Sequence, residues 1–117
     1  MTPQRGDVLL VRFPFSSGSG AKVRPALVVQ NDRNNRRLTN VVVVAITTTT
    51  HRSNEPSQLL IDVASPAGRQ TGLVKDSVVT CENIATLDKG LVLRKIGSFS
   101  DDLMRQVGEC LKDALAL

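Results

Sequence analysis

The sequence predicts a small, mainly β fold: a strongly bent β-sheet or barrel with one C-terminal helix packed on it. Three observations carry this. Short runs rich in Val, Leu, Ile and Thr recur between residues 6 and 98, separated by Gly, Pro, Asn, Asp and Ser. A 3.6-residue apolar period emerges only near the end of the chain. The length of 117 residues, 41% of them hydrophobic, suits one modest core, so residues 1–117 read as a single domain without repeat or linker.

Gly6 to Phe13 is the first expected strand, with Val8, Leu10 and Phe13 among its apolar members and Pro14 ending it. A loop of small residues, from Ser16 and Ser17 through Gly20 to Lys22, leads to a second strand, Arg24 to Gln30. The cluster from Asn31 to Arg37 reads as a turn carrying Arg33, Arg36 and Arg37. Asn40 to Thr48 is the most β-prone stretch, and its near-continuous valines call for burial on both faces. The polar segment Thr49 to Ser57 is expected as a loop, Gln58 to Val63 as a short strand, and Ser65 to Gly68 as a turn. Gly72 to Cys81 resumes β pattern with an interruption at Lys75 and Asp76. Thr86 to Gly90 reads as a helical turn and Leu91 to Ser98 as the last strand. Ser100 or Asp101 then caps a helix with Leu103, Val107, Cys110, Leu111 and Ala114 on one face.

No apolar run approaches the roughly 18 residues of a membrane span, and no basic start precedes an apolar stretch. A cytoplasmic protein without membrane attachment is therefore expected. Cys81 and Cys110 show no paired spacing and read as buried reduced thiols. The net charge of +4 is uneven: residues 1–40 hold seven basic side chains against Asp7 and Asp32, leaving the remainder at −1. A basic half suits an anionic partner such as nucleic acid. Aromatics are only 3%, all Phe, so extensive stacking of bases is not expected.

Most catalytic equipment is absent from the sequence. His51 is the only histidine and falls in a loop, so no paired-histidine site can form; no carboxylate spacing suits two metals, and no phosphate-loop or nucleophile-elbow motif is present. RNA needs less, because its own 2′-hydroxyl can attack the adjacent phosphate, leaving the protein to orient the attack and stabilise charge. Arg24, where the small-residue loop meets a strand, can supply that charge through a permanently cationic fork matched to phosphate oxygens, a role that suits it better than that of general acid. Thr47 offers a hydroxyl at a strand end for the same phosphate, or is simply a β-former leaving the sheet. Glu82 can read the donor edge of a base, act as a general base, or be a solvated strand-end charge. Asp7, next to Gly6, is expected to organise a turn.

Several segments, in order, resemble the MazF/PemK family of bacterial toxin endoribonucleases over nearly the whole chain. They are Arg5-Gly6-Asp7-Val8, Arg24-Pro25-Ala26-Leu27-Val28-Val29, Val44-Ala45-Ile46-Thr47, Asp76-Ser77-Val78-Val79, Glu82-Asn83-Ile84-Ala85-Thr86-Leu87 and Lys95-Ile96-Gly97. The resemblance implies an SH3-like β-barrel of the plasmid-maintenance toxin type, a homodimer, and sequence-specific cleavage of single-stranded RNA without metal or cofactor. It implies a cognate antitoxin of the MazE/PemI kind and DNA-binding only through the toxin–antitoxin complex. The family's arginine matches Arg24, its strand-end threonine matches Thr47, and Glu82 falls where it places an acidic residue near the scissile RNA. Ser16, Ser17, Lys22, Thr48, Ser77, Asn83 and the Arg33, Arg36, Arg37 cluster are the accompanying substrate-binding candidates. Expected products are a 2′,3′-cyclic phosphate, or the 3′-phosphate from its opening, and a 5′-hydroxyl.

The loop Ser17 to Lys22 lacks the acidic residue many members carry, and Asn83 and Ala85 stand where many have Gln and Arg, which bears on base preference. Two other functions fit a barrel of this kind. A gyrase-poisoning toxin of the same fold needs a C-terminal tryptophan, and this chain has none. A non-catalytic nucleic-acid-binding barrel would keep Arg24 and the basic cluster but give Thr47 no special role.

Overall fold

The structure is a computed structural model that describes residues 2–14 and 20–117. Six strands form one antiparallel sheet: β1 (Asp7–Pro14), β2 (Ala21–Val28), β3 (Asn40–Thr47), β4 (Gln58–Ile61), β5 (Ser77–Asp88) and β6 (Val92–Ser98). Their order is β4-β5-β3-β2-β1-β6, so β4 and β6 are the edges and the barrel-like sheet is not closed. The strands expected from the sequence are all present.

Both sides of the bent sheet carry apolar cores, which is why successive residues of one strand are buried. Val8, Leu27, Val44, Ile46, Ile61, Val79 and Cys81 form one core with Phe99, Val107 and Cys110. Leu9, Val11, Ala26, Val28, Val41, Val43 and Leu87 form the other. The valine run in β3 thus alternates between two interiors, as its continuous hydrophobicity predicts. Each fully buried side chain of this size contributes about 1.5–3 kcal/mol.

The C-terminal helix forms as expected, from Asp101 to Leu115, with Ser100 as its cap: the hydroxyl accepts the Leu103 N–H at 3.2 Å. Leu103, Val107, Cys110, Leu111 and Ala114 pack on the first core. The Cys81 thiol lies 3.9 Å from the Val107 carbonyl, tying the middle of β5 to this helix. Both cysteines are free and buried, and burial pushes the Cys81 thiol up to about 12.

Two expected turns are helices instead. Asp32–Arg37 forms α1, capped by Asn31, whose side chain accepts the Asn34 N–H at 2.8 Å. Its Asn35 is wholly buried and donates to the Gln30 carbonyl at 3.0 Å, while Gln30 Nε2 donates back to Asn35 Oδ1 at 2.9 Å. Arg33, Arg36 and Arg37 therefore project from a short helix in the β2–β3 connection and not from an irregular turn. Pro66–Gln70 forms α2, with Ser65 as the cap and Pro66 in the first turn, where a missing N–H costs nothing. The C-terminal helix is accordingly α3.

The third correction concerns β5, which starts at Ser77 and continues through Asp88; only Lys89–Leu91 is a 3₁₀ turn, where Asp88 accepts the Gly90 N–H at 2.7 Å. Val44 pairs with Ile84 but Ala45 pairs with Thr80, so residues 81–83 bulge out of the ladder. This bulge bends β5 and re-aims its side chains. Near α2, Gly72 has φ +75°, and a Cβ there would lie 2.0 Å from the Ile96 carbonyl oxygen. Only glycine permits that approach to β6. Asp7 organises the start of β1, accepting the Gln4 N–H at 2.9 Å and pairing with Lys95 at 3.1 Å. Among the described residues, no helix is long and apolar enough to cross a membrane.

Candidate active site

The ladder between β2 and β3 stops at Ala26 and Ala45, whereas β2 continues to pair with β1, and β3 with β5. The residue before Ala26 is Pro25, which has no N–H to extend the ladder. Beyond that point β2 and β3 separate and leave a cleft. Arg24 and Thr47 lie two residues past the last pair on their respective strands, so strand alternation puts both on one side of the sheet. A cavity of about 190 Å³ is lined there by Lys22, Val23, Arg24, Pro25, Ile46, Thr47, Thr48 and Ser77. Ser77 arrives from β5, where its neighbour Val78 pairs with Thr47.

Two cations and three hydroxyls converge in this cleft, and none of the lining residues is a carboxylate. Among the described residues no carboxylate pairs with Arg24. Its guanidinium instead lies over the Phe13 ring, 5.8 Å from the centroid. Thr47 Oγ1 accepts the Thr49 N–H at 3.2 Å, so the hydroxyl proton is left for a ligand. Ser77 directs its proton to the Lys75 carbonyl at 2.8 Å and offers its oxygen. The arrangement suits a tetrahedral anion, since a guanidinium can grip one by paired N–H bonds and Lys22 lines the same cleft with a second positive charge.

Glu82 and Asn83 lie outside this lining, on the β5 bulge. Glu82 accepts from Gln58 Nε2 at 2.7 Å and pairs with Arg52 at 3.1 Å. Burial raises its affinity for a proton, but hydrogen bonds from Ser57 and Gln58 and the charge of Arg52 outweigh this and hold the carboxyl below its ordinary value. Arg52 is also bidentate to Glu55, at 2.8 and 2.9 Å. Asn83 reaches Thr80 Oγ1 at 3.4 Å. Arg33, Arg36 and Arg37 on α1 do not line the cleft, and Ser16 and Ser17 lie outside the described residues.

Sequence reasoning brought Lys22, Arg24, Thr47, Thr48 and Ser77 forward, and these five share one cavity. It missed Phe13, Arg52 and Gln58. Phe13 is readable once the hairpin register is known, since Phe13 pairs with Lys22 and so sits diagonally from Arg24. No local signal marks Arg52 or Gln58, because their contacts depend on how the 49–57 segment lies against the bulge.

The sequence model of the family described as "PemK-like, MazF-like toxin of type II toxin-antitoxin system" matches residues 4–115. Endoribonuclease EndoA of Bacillus subtilis (strain 168) is 36% identical over 118 residues, covering 100% of this chain and 97% of that protein. A solved endoribonuclease from a mycobacterial species superposes with a TM-score of 0.78 at 26% identity, covering 100% of this chain and 94% of the other. A second mycobacterial endoribonuclease, solved in complex with its cognate antitoxin, gives 0.78 at 27% identity, with 98% and 96% covered.

Proposed function

The chain belongs to the PemK-like, MazF-like toxin family of type II toxin–antitoxin systems, and from that premise we propose that the cleft between β2 and β3 is where it cuts RNA. The protein is a toxin endoribonuclease. The observation that carries the site is the convergence of Lys22, Arg24, Thr47, Thr48 and Ser77 where the two strands part.

In this reading the scissile phosphate of single-stranded RNA seats against Arg24, with Thr47 donating to a phosphate oxygen. The ribose 2′-oxygen loses its proton and attacks phosphorus, and the 5′-oxygen leaves as it gains one. The products are a 2′,3′-cyclic phosphate and a 5′-hydroxyl, and water opens the former to a 3′-phosphate. Arg24 stabilises the charge that builds on the pentavalent phosphate, because a fixed cation pointing where charge develops needs no reorganisation. A guanidinium carries its charge permanently and has no proton to lend, so stabilisation is its role. Glu82 and Asn83, displaced from the cleft by the bulge, contact flanking bases and set the cut sequence. Arg33, Arg36 and Arg37 attract the RNA backbone from α1.

The partners follow from the same premise. The toxin acts as a homodimer, is held inactive by a cognate antitoxin, and meets DNA only through that complex, in the cytoplasm. An acidic or apolar disordered antitoxin tail that folds into the basic cleft would neutralise the toxin by occupying it.

The test is direct. Purified protein incubated with mixed RNA in EDTA should generate new 5′-hydroxyl ends at one short sequence. A 2′-O-methyl ribose immediately 5′ of the cut should block cleavage. Activity lost in EDTA and restored by magnesium would overturn the metal-independent route, and cutting of the methylated substrate would overturn the 2′-hydroxyl as nucleophile.

A further inference from the structure

We propose that Phe13 is a positioning residue for Arg24, its ring orienting the guanidinium while leaving the N–H donors and the whole positive charge available to the phosphate. The inference rests on the reading of Arg24 as the phosphate-gripping group.

The hairpin register makes this contact. Val11 pairs with Arg24 and Phe13 with Lys22, and strand alternation puts all four side chains on one side of the sheet. Phe13 and Arg24 are diagonal neighbours, within reach of an aromatic ring. The guanidinium carbon lies 5.8 Å from the ring centroid, inside the roughly 6 Å at which a cation is drawn to an aromatic face. The ring is itself anchored, because Phe13 packs against the second core.

A carboxylate would hold an arginine more tightly, and Arg52 shows at what cost. Its Nε and Nη2 are committed to Glu55, and Nη2 also meets Glu82. Its charge is neutralised and its fork is occupied. The face of a ring attracts the cation by its quadrupole, accepts no in-plane N–H bond and carries no net charge. Phe13 therefore limits the directions Arg24 can sample without competing with the ligand. Pre-organisation of this kind acts on the charge that appears in the transition state, so it should be felt in the maximal rate rather than in ground-state binding.

The experiment is single-turnover cleavage of a short single-stranded RNA carrying the mapped cut site, with rate followed against enzyme concentration. Phe13→Leu should lower the maximal rate roughly three- to tenfold and move the half-saturating concentration by less than about twofold. Phe13→Tyr should restore the rate. Should the leucine variant unfold, Phe13→Met takes its place, since a flexible thioether refills the gap without a ring face. The decisive variant carries pentafluorophenylalanine at position 13, which keeps the ring's shape and reverses the charge of its face; it should resemble leucine, not tyrosine. A fluorinated variant as fast as wild type would overturn the proposal, as would a tyrosine variant no better than leucine or rates that simply follow the thermal midpoints. An Arg24→Ala protein that cuts normally would instead refute the underlying assignment of Arg24, whatever Phe13 does.

Discussion

Arg24 and Arg52 occupy two neighbourhoods of one small protein and show opposite uses of the same side chain. Arg52 sits in the 49–57 segment between Glu55 and Glu82, its contacts satisfied within the chain and its guanidinium pushed well above the ordinary range by hydrogen bonding to Glu55. Arg24 sits where a ladder ends, beside another cation and hydroxyls, with an aromatic ring as its support. A guanidinium whose partners are supplied by the chain fastens a loop. One held in place with no carboxylate against it among the described residues is ready for an outside anion.

The largest expected effect tests Arg24. Arg24→Ala should reduce cleavage by roughly 10²–10³ or more, with the thermal midpoint changed by only a few degrees. Arg24→Lys should fall between, because a point charge does not reproduce the fork. Melting curves beside cleavage rates check this, and a large loss of stability would show that Arg24 is structural after all.

Thr47→Val comes next. It keeps the shape of a β-branched residue and removes the hydroxyl, so cleavage should drop about tenfold, and Thr47→Ser should retain most of it. Equal rates for the valine and serine variants would reduce Thr47 to a β-former. Replacing Arg33, Arg36 and Arg37 together with Gln should raise KM several-fold and flatten the salt dependence of RNA binding, by about 0.7 in log–log slope for each phosphate that is no longer neutralised. The cut sequence should not change; an unaltered salt slope would mean that α1 never meets RNA.

The smallest effect belongs to the paired arginine. Arg52→Ala should leave cleavage within about threefold and lower stability only slightly, because exposed pairs are screened by solvent. The sign with pH follows from Glu55 and Glu82, whose carboxyls are both held below their ordinary 4.5 in the folded chain, Glu55 chiefly by the hydrogen bonds from Arg52. A lowered carboxylate contributes stability that is present above the unfolded value and disappears as pH falls through the folded one. The stability gap between wild type and Arg52→Ala should thus be constant near neutrality and close on acidification, as urea melts across pH would show. A gap that persists in acid would assign the effect to packing.

Much of this molecule is legible in its sequence because its signals are local. The valine run of β3, the β1 and β6 patterns and the Ser100-capped face of α3 follow from alternation, helical period and capping chemistry. α1 is not legible, since Asn31, Asp32, Asn34 and Asn35 serve a turn or a helix start equally well. The choice is made by Asn35 reaching back to Gln30 and by the Lys89 side chain, which donates to the Asn35 carbonyl at 2.6 Å. The β5 bulge is likewise invisible, because nothing in Cys81-Glu82-Asn83 says that the β3–β5 ladder changes register there. At the site, Arg24 and Thr47 stand out as strand-end residues. The cleft between them exists only because the β2–β3 ladder stops short of Pro25, and that is a property of pairing, not of either strand alone.

The two thiols sealed between β5 and α3 give the molecule a built-in clock. Cys81 and Cys110 belong to the core that the helix covers, and Cys81 in particular, at about 12, is almost entirely uncharged at neutral pH. An alkylating reagent can reach them only when α3 lifts or the whole chain opens, so the labelling rate measures that event with no probe introduced. If the helix undocks on its own, labelling outruns global unfolding in mild urea. If it does not, the two rates coincide, and the helix and the sheet that carries the cleft are one cooperative unit.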